Sequence, residues 1–162
     1  MRTWVWFVIC GALAGCGREE ASPPAAQSPA ASTVAAPAPA APPAARKPAP
    51  PEAAAYIIAP ADGDTVDNPV LVQFGLKGIG VAPAGVDRPD TGHHHLLIDA
   101  DLPPLDAPIP SDAKHVHFGA GQTETVLTLP PGRHQLRLLL GDHLHVPFDP
   151  PIASPAITID VR

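Results

Sequence analysis

Pro130-Pro131-Gly132-Arg133-His134-Gln135-Leu136-Arg137-Leu138-Leu139-Leu140 reads as a tight turn feeding a β-strand. Side chains alternate across a strand, so His134, Leu136, Leu138 and Leu140 share one face while Arg133, Gln135 and Arg137 share the other. That pattern places one face in a core and the other in water. The turn is expected either to pair the strands on its two sides or to sit at the corner of a sandwich. To either side, similar short runs bounded by Pro, Gly and Asp recur at Tyr56 to Ala59, Val70 to Leu76, His94 to Ala100, Thr123 to Leu129 and Ala156 to Val161. A further short one lies around Ile79 to Val81. No segment carries an apolar stripe at helical period over ten residues. The 107 residues from Tyr56 to Arg162 suffice for one modest core. The expected fold class is therefore all-β, an immunoglobulin-like β-sandwich, with a jelly roll or small barrel as the alternative.

Ahead of Tyr56 the composition is different. Alanine and proline fill 26 of the 35 positions from 21 to 55. Proline removes backbone donors and breaks helices, and few large apolar side chains are present to bury, so residues 16–55 read as a semi-extended stalk. Arg46-Lys47, a positive spot within it, reads as incidental charge. The chain opens with a minimal basic region, Met1-Arg2-Thr3, and an apolar run from Trp4 to Ala14. That run is too short to cross a bilayer but suits a signal segment, residues 1–15. It ends in Leu13-Ala14-Gly15-Cys16, which resembles the bacterial lipobox. The resemblance implies cleavage before Cys16, lipidation of its thiol, and a membrane anchor. Gly17, rather than an aspartate, after the cysteine implies the outer membrane, facing the periplasm or the cell surface.

Cys10 falls within the signal segment and Cys16 is the lipidation site, so the folded part has no thiol for a disulfide. From Tyr56 on, thirteen Asp and Glu face six Lys and Arg, a net charge of −7 with neutral histidines. With no basic patch, a nucleic-acid partner is excluded.

All eight histidines lie between positions 93 and 145: His93-His94-His95, His115 and His117, His134, and His143 and His145. A spacing of two puts both imidazoles of a pair on one face of a strand, close enough to share an ion. Asp99 and Asp142 stand near enough in sequence to assist as ligands or to orient a histidine. Imidazole with carboxylate suits zinc, copper or nickel. The expected metal ligands are His93, His95, His115, His117, His143 and His145, with Asp99 and Asp142. His94 and His134 share faces with leucines and read instead as buried structural histidines.

Absent residues narrow the chemistry further. Without a cysteine in the folded part, a blue-copper centre, an iron–sulfur cluster and a thiolate zinc site are excluded. Haem attachment lacks its Cys-x-x-Cys-His. Met1 is the lone methionine, which excludes a methionine-rich Cu(I) carrier and leaves Cu(II), or Cu(I) held by histidines alone. Gly119-Ala120-Gly121-Gln122 lacks the lysine and hydroxyl of a phosphate loop, so no nucleotide is expected. No Gly-x-Ser-x-Gly elbow is present.

Gly92-His93-His94-His95-Leu96-Leu97-Ile98-Asp99, His115-Val116-His117-Phe118-Gly119 and Gly121-Gln122-Thr123-Glu124, in this order, resemble a bacterial domain-of-unknown-function family of envelope proteins. The resemblance covers nearly all of the folded part and implies that the histidine motifs are the family's centre, without implying an activity. Pro69-Val70 to Phe74 also resembles the first strands of bacterial immunoglobulin-like modules. The expected function is a lipid-anchored envelope domain that binds copper or zinc for storage, buffering or delivery. The alternatives are a non-catalytic module that binds an envelope protein or a glycan, its histidines structural or pH-sensing, and a metal-dependent hydrolase.

Overall fold

The computed structural model describes residues 45–162. The signal segment, Cys16 and the stalk up to residue 44 lie outside the described residues. Nine strands follow in chain order: β1 Ala54–Ala59, β2 Thr65–Val66, β3 Val70–Lys77, β4 Gly80–Val81, β5 Thr91–Ile98, β6 His115–His117, β7 Glu124–Leu127, β8 Gly132–Gly141 and β9 Ile157–Val161. There is no helix among the described residues.

The strands form two sheets, one of three strands in the order β1-β3-β7 and one of six in the order β2-β9-β8-β5-β4. The sixth strand of the larger sheet, β6, shares with β4 the edge of β5 that faces away from β8: β4 runs along Thr91 and Gly92, β6 along His95 to Leu97. The sheets are open, so the fold is an all-β sandwich of immunoglobulin-like type rather than a closed barrel. The Pro130-Pro131-Gly132 turn is its corner. It carries the chain from β7, in the small sheet, to β8, at the heart of the large one.

Alternation fills the interior. Val70, Val72 and Phe74 of β3 meet Leu96 and Ile98 of β5, Leu136, Leu138 and Leu140 of β8, and Ile159 and Val161 of β9. Leu96, Leu136, Leu138 and Leu140 are wholly removed from water. Each such side chain contributes about 1.5–3 kcal/mol of burial.

The outward face of the large sheet departs from the expectation of one wet face. Arg133 and Gln135 are exposed, but Leu139 is buried. It packs with Leu97 of β5 and Ile109 from the loop between β5 and β6, beside the half-buried Leu102 and Ala153. That loop lies over the sheet and gives these leucines a second, smaller apolar cluster. Both faces of β5 are buried in consequence, and the histidines on its outward face are covered rather than wet.

The packed part begins well ahead of Tyr56. Arg46 pairs with Asp149 at 3.1 Å and donates to the carbonyls of Pro147 and Phe148, while Lys47 pairs with Asp87. Ala49 N–H and Asp149 N–H exchange backbone bonds with Asp149 O and Lys47 O, each 2.8 Å. The reading of Arg46-Lys47 as incidental charge is thereby corrected: the pair docks the incoming chain. Its partners lie up to about a hundred residues away, beyond the reach of any local pattern.

Candidate metal centre

The triplet His93-His94-His95 sits in the middle of the fold, and all three rings are inaccessible to water. Alternation divides them. His94 points into the sandwich core against Phe74, ring centroids 5.1 Å apart, while His93 and His95 point to the outward face. The antiparallel register of β5 with β6 pairs His95 with His117, so the His117 ring arrives on the same face.

The fourth ring comes from the opposite side. The end of β8 is paired to His93 through Gly141, and beyond Gly141 the chain turns back over the sheet. Asp142 builds that turn. Its Oδ1 accepts from Leu144 N–H at 2.8 Å and Val146 N–H at 2.9 Å, and its carbonyl accepts from His145 N–H at 2.9 Å. His145 closes the turn at φ +69°, a left-handed conformation usually left to Gly or Asn. A side chain on Gly141 would come within 3.2 Å of both the His145 Cα and the His95 Nε2, so the turn lies down only on a glycine floor.

The result is a cluster of four imidazoles: His93, His95, His117 and His145. Nε2 of His93 lies 3.2 Å from Nε2 of His95, and Nε2 of His117 lies 3.2 Å from Nε2 of His145. Ligand nitrogens of His93, His95 and His117 all fall within 4.8 Å of one another, a group that could hold a metal ion. Five of the six ring-centroid separations are 4.8 or 5.0 Å and the sixth, His95 to His145, is 5.8 Å. A square would need two diagonals about 1.4 times its sides, so the four rings occupy the corners of a slightly stretched tetrahedron. Four nitrogens on a tetrahedral ion at about 2.0–2.1 Å stand about 3.3–3.4 Å apart, close to the two separations seen here.

Electrostatics keeps His93, His95 and His117 in the neutral form. Burial, and then the neighbouring His145 and His117, lower the pKa of His93 to about 4. Burial, and then His93, His117 and His145, lower His95 to about 2. His117 is lowered too, by burial and by His145. Neutral imidazole is the metal-binding form, and its usual competitor, the proton, is held off.

The other candidates stand elsewhere. His115 lies on the outward face opposite Leu97 but turns to Asp112, Nδ1 to Oδ1 2.9 Å. His143 faces Asp87 and Asp142 at 3.7 and 3.8 Å from its Nδ1. Asp99, at the far end of β5, accepts from Gln135 N–H at 2.8 Å and from His134 Nδ1 at 2.7 Å. His134 also donates Nε2–H to Pro130 O at 2.9 Å, so both of its nitrogens carry protons. Burial opposes that charge, but the bonds to Asp99 and Pro130 outweigh it and raise the His134 pKa. Asp142 shapes the turn that presents His145. Of the eight ligands expected from sequence, the structure therefore brings together His93, His95, His117 and His145, and it does not bring His115, His143, Asp99 or Asp142 into the cluster.

Two glycines carry weight that the sequence pattern did not reveal. One is Gly141. The other is Gly119, where a side chain would approach the His117 ring to 2.3 Å from Cε1 and 2.6 Å from Nε2. The sequence signal was present as a glycine two residues after a candidate ligand, but only the ring position gives it meaning. Gly119→Ala is expected to fold normally yet push the His117 ring out of the cluster and weaken metal binding at least about tenfold, as displaced ligand support does. Competition against a chromophoric chelator measures that loss.

The His145 backbone offers a complementary variant. His145→Gly relieves the left-handed strain, so the metal-free protein should keep or gain up to about 1 kcal/mol of stability while metal affinity falls. Urea unfolding with and without metal separates the two effects.

Residues 72–162 match a family model described as a domain of unknown function (DUF4399), a span that includes every histidine of the chain. No curated protein and no solved structure matches the chain.

Proposed function

We infer the function from the site itself, because the chain belongs to the DUF4399 family, a domain of unknown function. The domain binds one transition-metal ion, copper or zinc, through His93, His95, His117 and His145, and serves to store, buffer or deliver it. The observation that carries this reading is the tetrahedron of four imidazoles, with two Nε2–Nε2 separations of 3.2 Å. An ion among the four rings would replace these two N···N contacts with metal–nitrogen bonds. The buried Nδ1 atoms of His93 and His95 have no hydrogen-bond partner, and orphaned polar atoms cost about 1–3 kcal/mol each. An ion on the Nε2 side leaves these Nδ1 atoms unpaired, but its binding free energy would offset their cost. His93, His95 and His117 form the group whose nitrogens all lie within 4.8 Å of one another, and His145 as a fourth ligand would close the coordination sphere, which favours holding a metal over hydrolysis at an open position.

The test is metal content. The full chain, purified without a histidine tag or chelator, should carry close to one equivalent of copper or zinc, or take it up at micromolar concentration. Chelation should lower its thermal stability. A folded protein that takes up neither ion contradicts the reading.

The address of the site is part of the same proposal. The Leu13-Ala14-Gly15-Cys16 sequence supports lipidation of Cys16 and a place in the bacterial envelope, with the Ala- and Pro-rich residues 17–44 as a tether. Cys16→Ser is expected to move the protein from the membrane fraction to the soluble envelope fraction, read by immunoblot of separated fractions.

A further inference from the structure

We propose that the four-histidine site takes copper as Cu(I), in preference to both Cu(II) and Zn(II). This preference rests on the metal-binding function proposed for the domain and deepens it to the oxidation state of the ion.

Three observations point this way. The first is geometry. The rings stand at the corners of a tetrahedron, with one centroid separation of 5.8 Å against five of 4.8 or 5.0 Å. Cu(II) favours four ligands in a plane, whereas filled-shell ions such as Cu(I) and Zn(II) accept a tetrahedron without penalty. The backbones of His93 and His95 are fixed by β5 and that of His117 by β6, and the His93 and His95 rings are packed out of water, which holds the arrangement as it stands.

The second observation is charge, which separates the two filled-shell ions. Imidazole is a neutral donor, and two of the four rings are inaccessible to water. Burying an ion costs free energy in proportion to the square of its charge, so a monovalent ion costs about a quarter as much as a divalent one. Asp142, 1 % exposed, is the carboxylate whose charge bears on His93.

The third is the lack of support behind the ligands. Histidines on zinc usually donate their second N–H to a carboxylate or carbonyl, which spreads the ion's charge. The Nδ1 atoms of His93 and His95 are buried and reach no acceptor. Nothing behind these two rings absorbs a second positive charge.

The test uses the full chain under anaerobic conditions, titrated separately with Cu(I) against a competing chromophoric Cu(I) chelator, with Zn(II) and with Cu(II). Cu(I) should bind at one equivalent and at least about 100-fold more tightly than Zn(II). The copper protein should stay silent by electron paramagnetic resonance when admitted to air. Tighter binding of Zn(II) than of Cu(I), or a persistent tetragonal Cu(II) signal with four nitrogen ligands, overturns the assignment. If Zn(II) or Cu(II) binds at one equivalent more tightly than Cu(I) and His95→Ala abolishes it, the Cu(I) preference falls while the metal site stands. If no ion binds, both fall.

Discussion

A His95→Ala chain is expected to bind no metal at concentrations that saturate the parent protein. His95 is one corner of the cluster: its ring is 5.0 Å, centroid to centroid, from both His93 and His117, and it is fully buried. Loss of groups that merely support a ligand costs about 10–100-fold in affinity, so loss of this ligand should cost more than about 100-fold. The stability readout follows from linkage. The parent at a free metal concentration about 100 times its dissociation constant gains about 2.7 kcal/mol, and the variant gains nothing. Thermal melts of both proteins with and without metal measure the difference. Asp99→Asn supplies the contrast. It weakens the bonds to His134 and Gln135 and should cost about 1 kcal/mol, yet leave the metal stoichiometry untouched because Asp99 stands outside the cluster. Equal loss of metal in both variants would mean that the site is not where the four rings meet.

The second large effect is acid sensitivity of the metal-free protein. Burial alone lowers the pKa of His94 to about 4, from an ordinary value of 6.5. Its two ring nitrogens are buried without partners against Phe74. As pH falls below 6.5 the unfolded chain takes up a proton that the folded one refuses, so folding is progressively destabilised down to about pH 4. At about 1.4 kcal/mol per pH unit, His94 alone removes on the order of 3 kcal/mol by pH 4, and His93, also lowered to about 4, acts in the same sense. Against a total stability of about 5–15 kcal/mol, unfolding near pH 4–5 is expected. His94→Leu fills a similar volume without a titrating group and should shift the acid midpoint down and raise stability at pH 5. Circular dichroism across pH 3–8 reads both. An acid midpoint unchanged by His94→Leu would contradict this role for His94.

Much of the fold was legible because it is written locally. Alternation in Arg133 to Leu140 and the Pro130-Pro131-Gly132 turn mark a strand at a corner, and every strand expected from sequence has a counterpart in the structure. The small strands Thr65–Val66 and His115–His117 are too short to announce themselves by pattern. The loop over Leu97 and Leu139 could not be anticipated from alternation, which says that two faces differ but not that both are covered.

The candidate site was half legible. A spacing of two predicts correctly that His93 and His95 share a face. The same rule also pairs His115 with His117 and His143 with His145, and there it stops short. His115 is drawn off by Asp112, and His143 belongs to a turn, where strand alternation has no force. Which member of each pair joins the cluster depends on register, on the Asp142 turn and on the glycines at 119 and 141. Those are properties of the folded chain.

The most direct test of the four-histidine site is X-ray absorption on the full chain loaded with one equivalent of metal. The expected result is a single first shell of four nitrogens at about 2.0–2.1 Å, with the outer-shell scattering of imidazole rings and no sulfur. A first shell with fewer than three imidazoles, or one dominated by carboxylate and water oxygen, would contradict the assignment of His93, His95, His117 and His145 as the ligands.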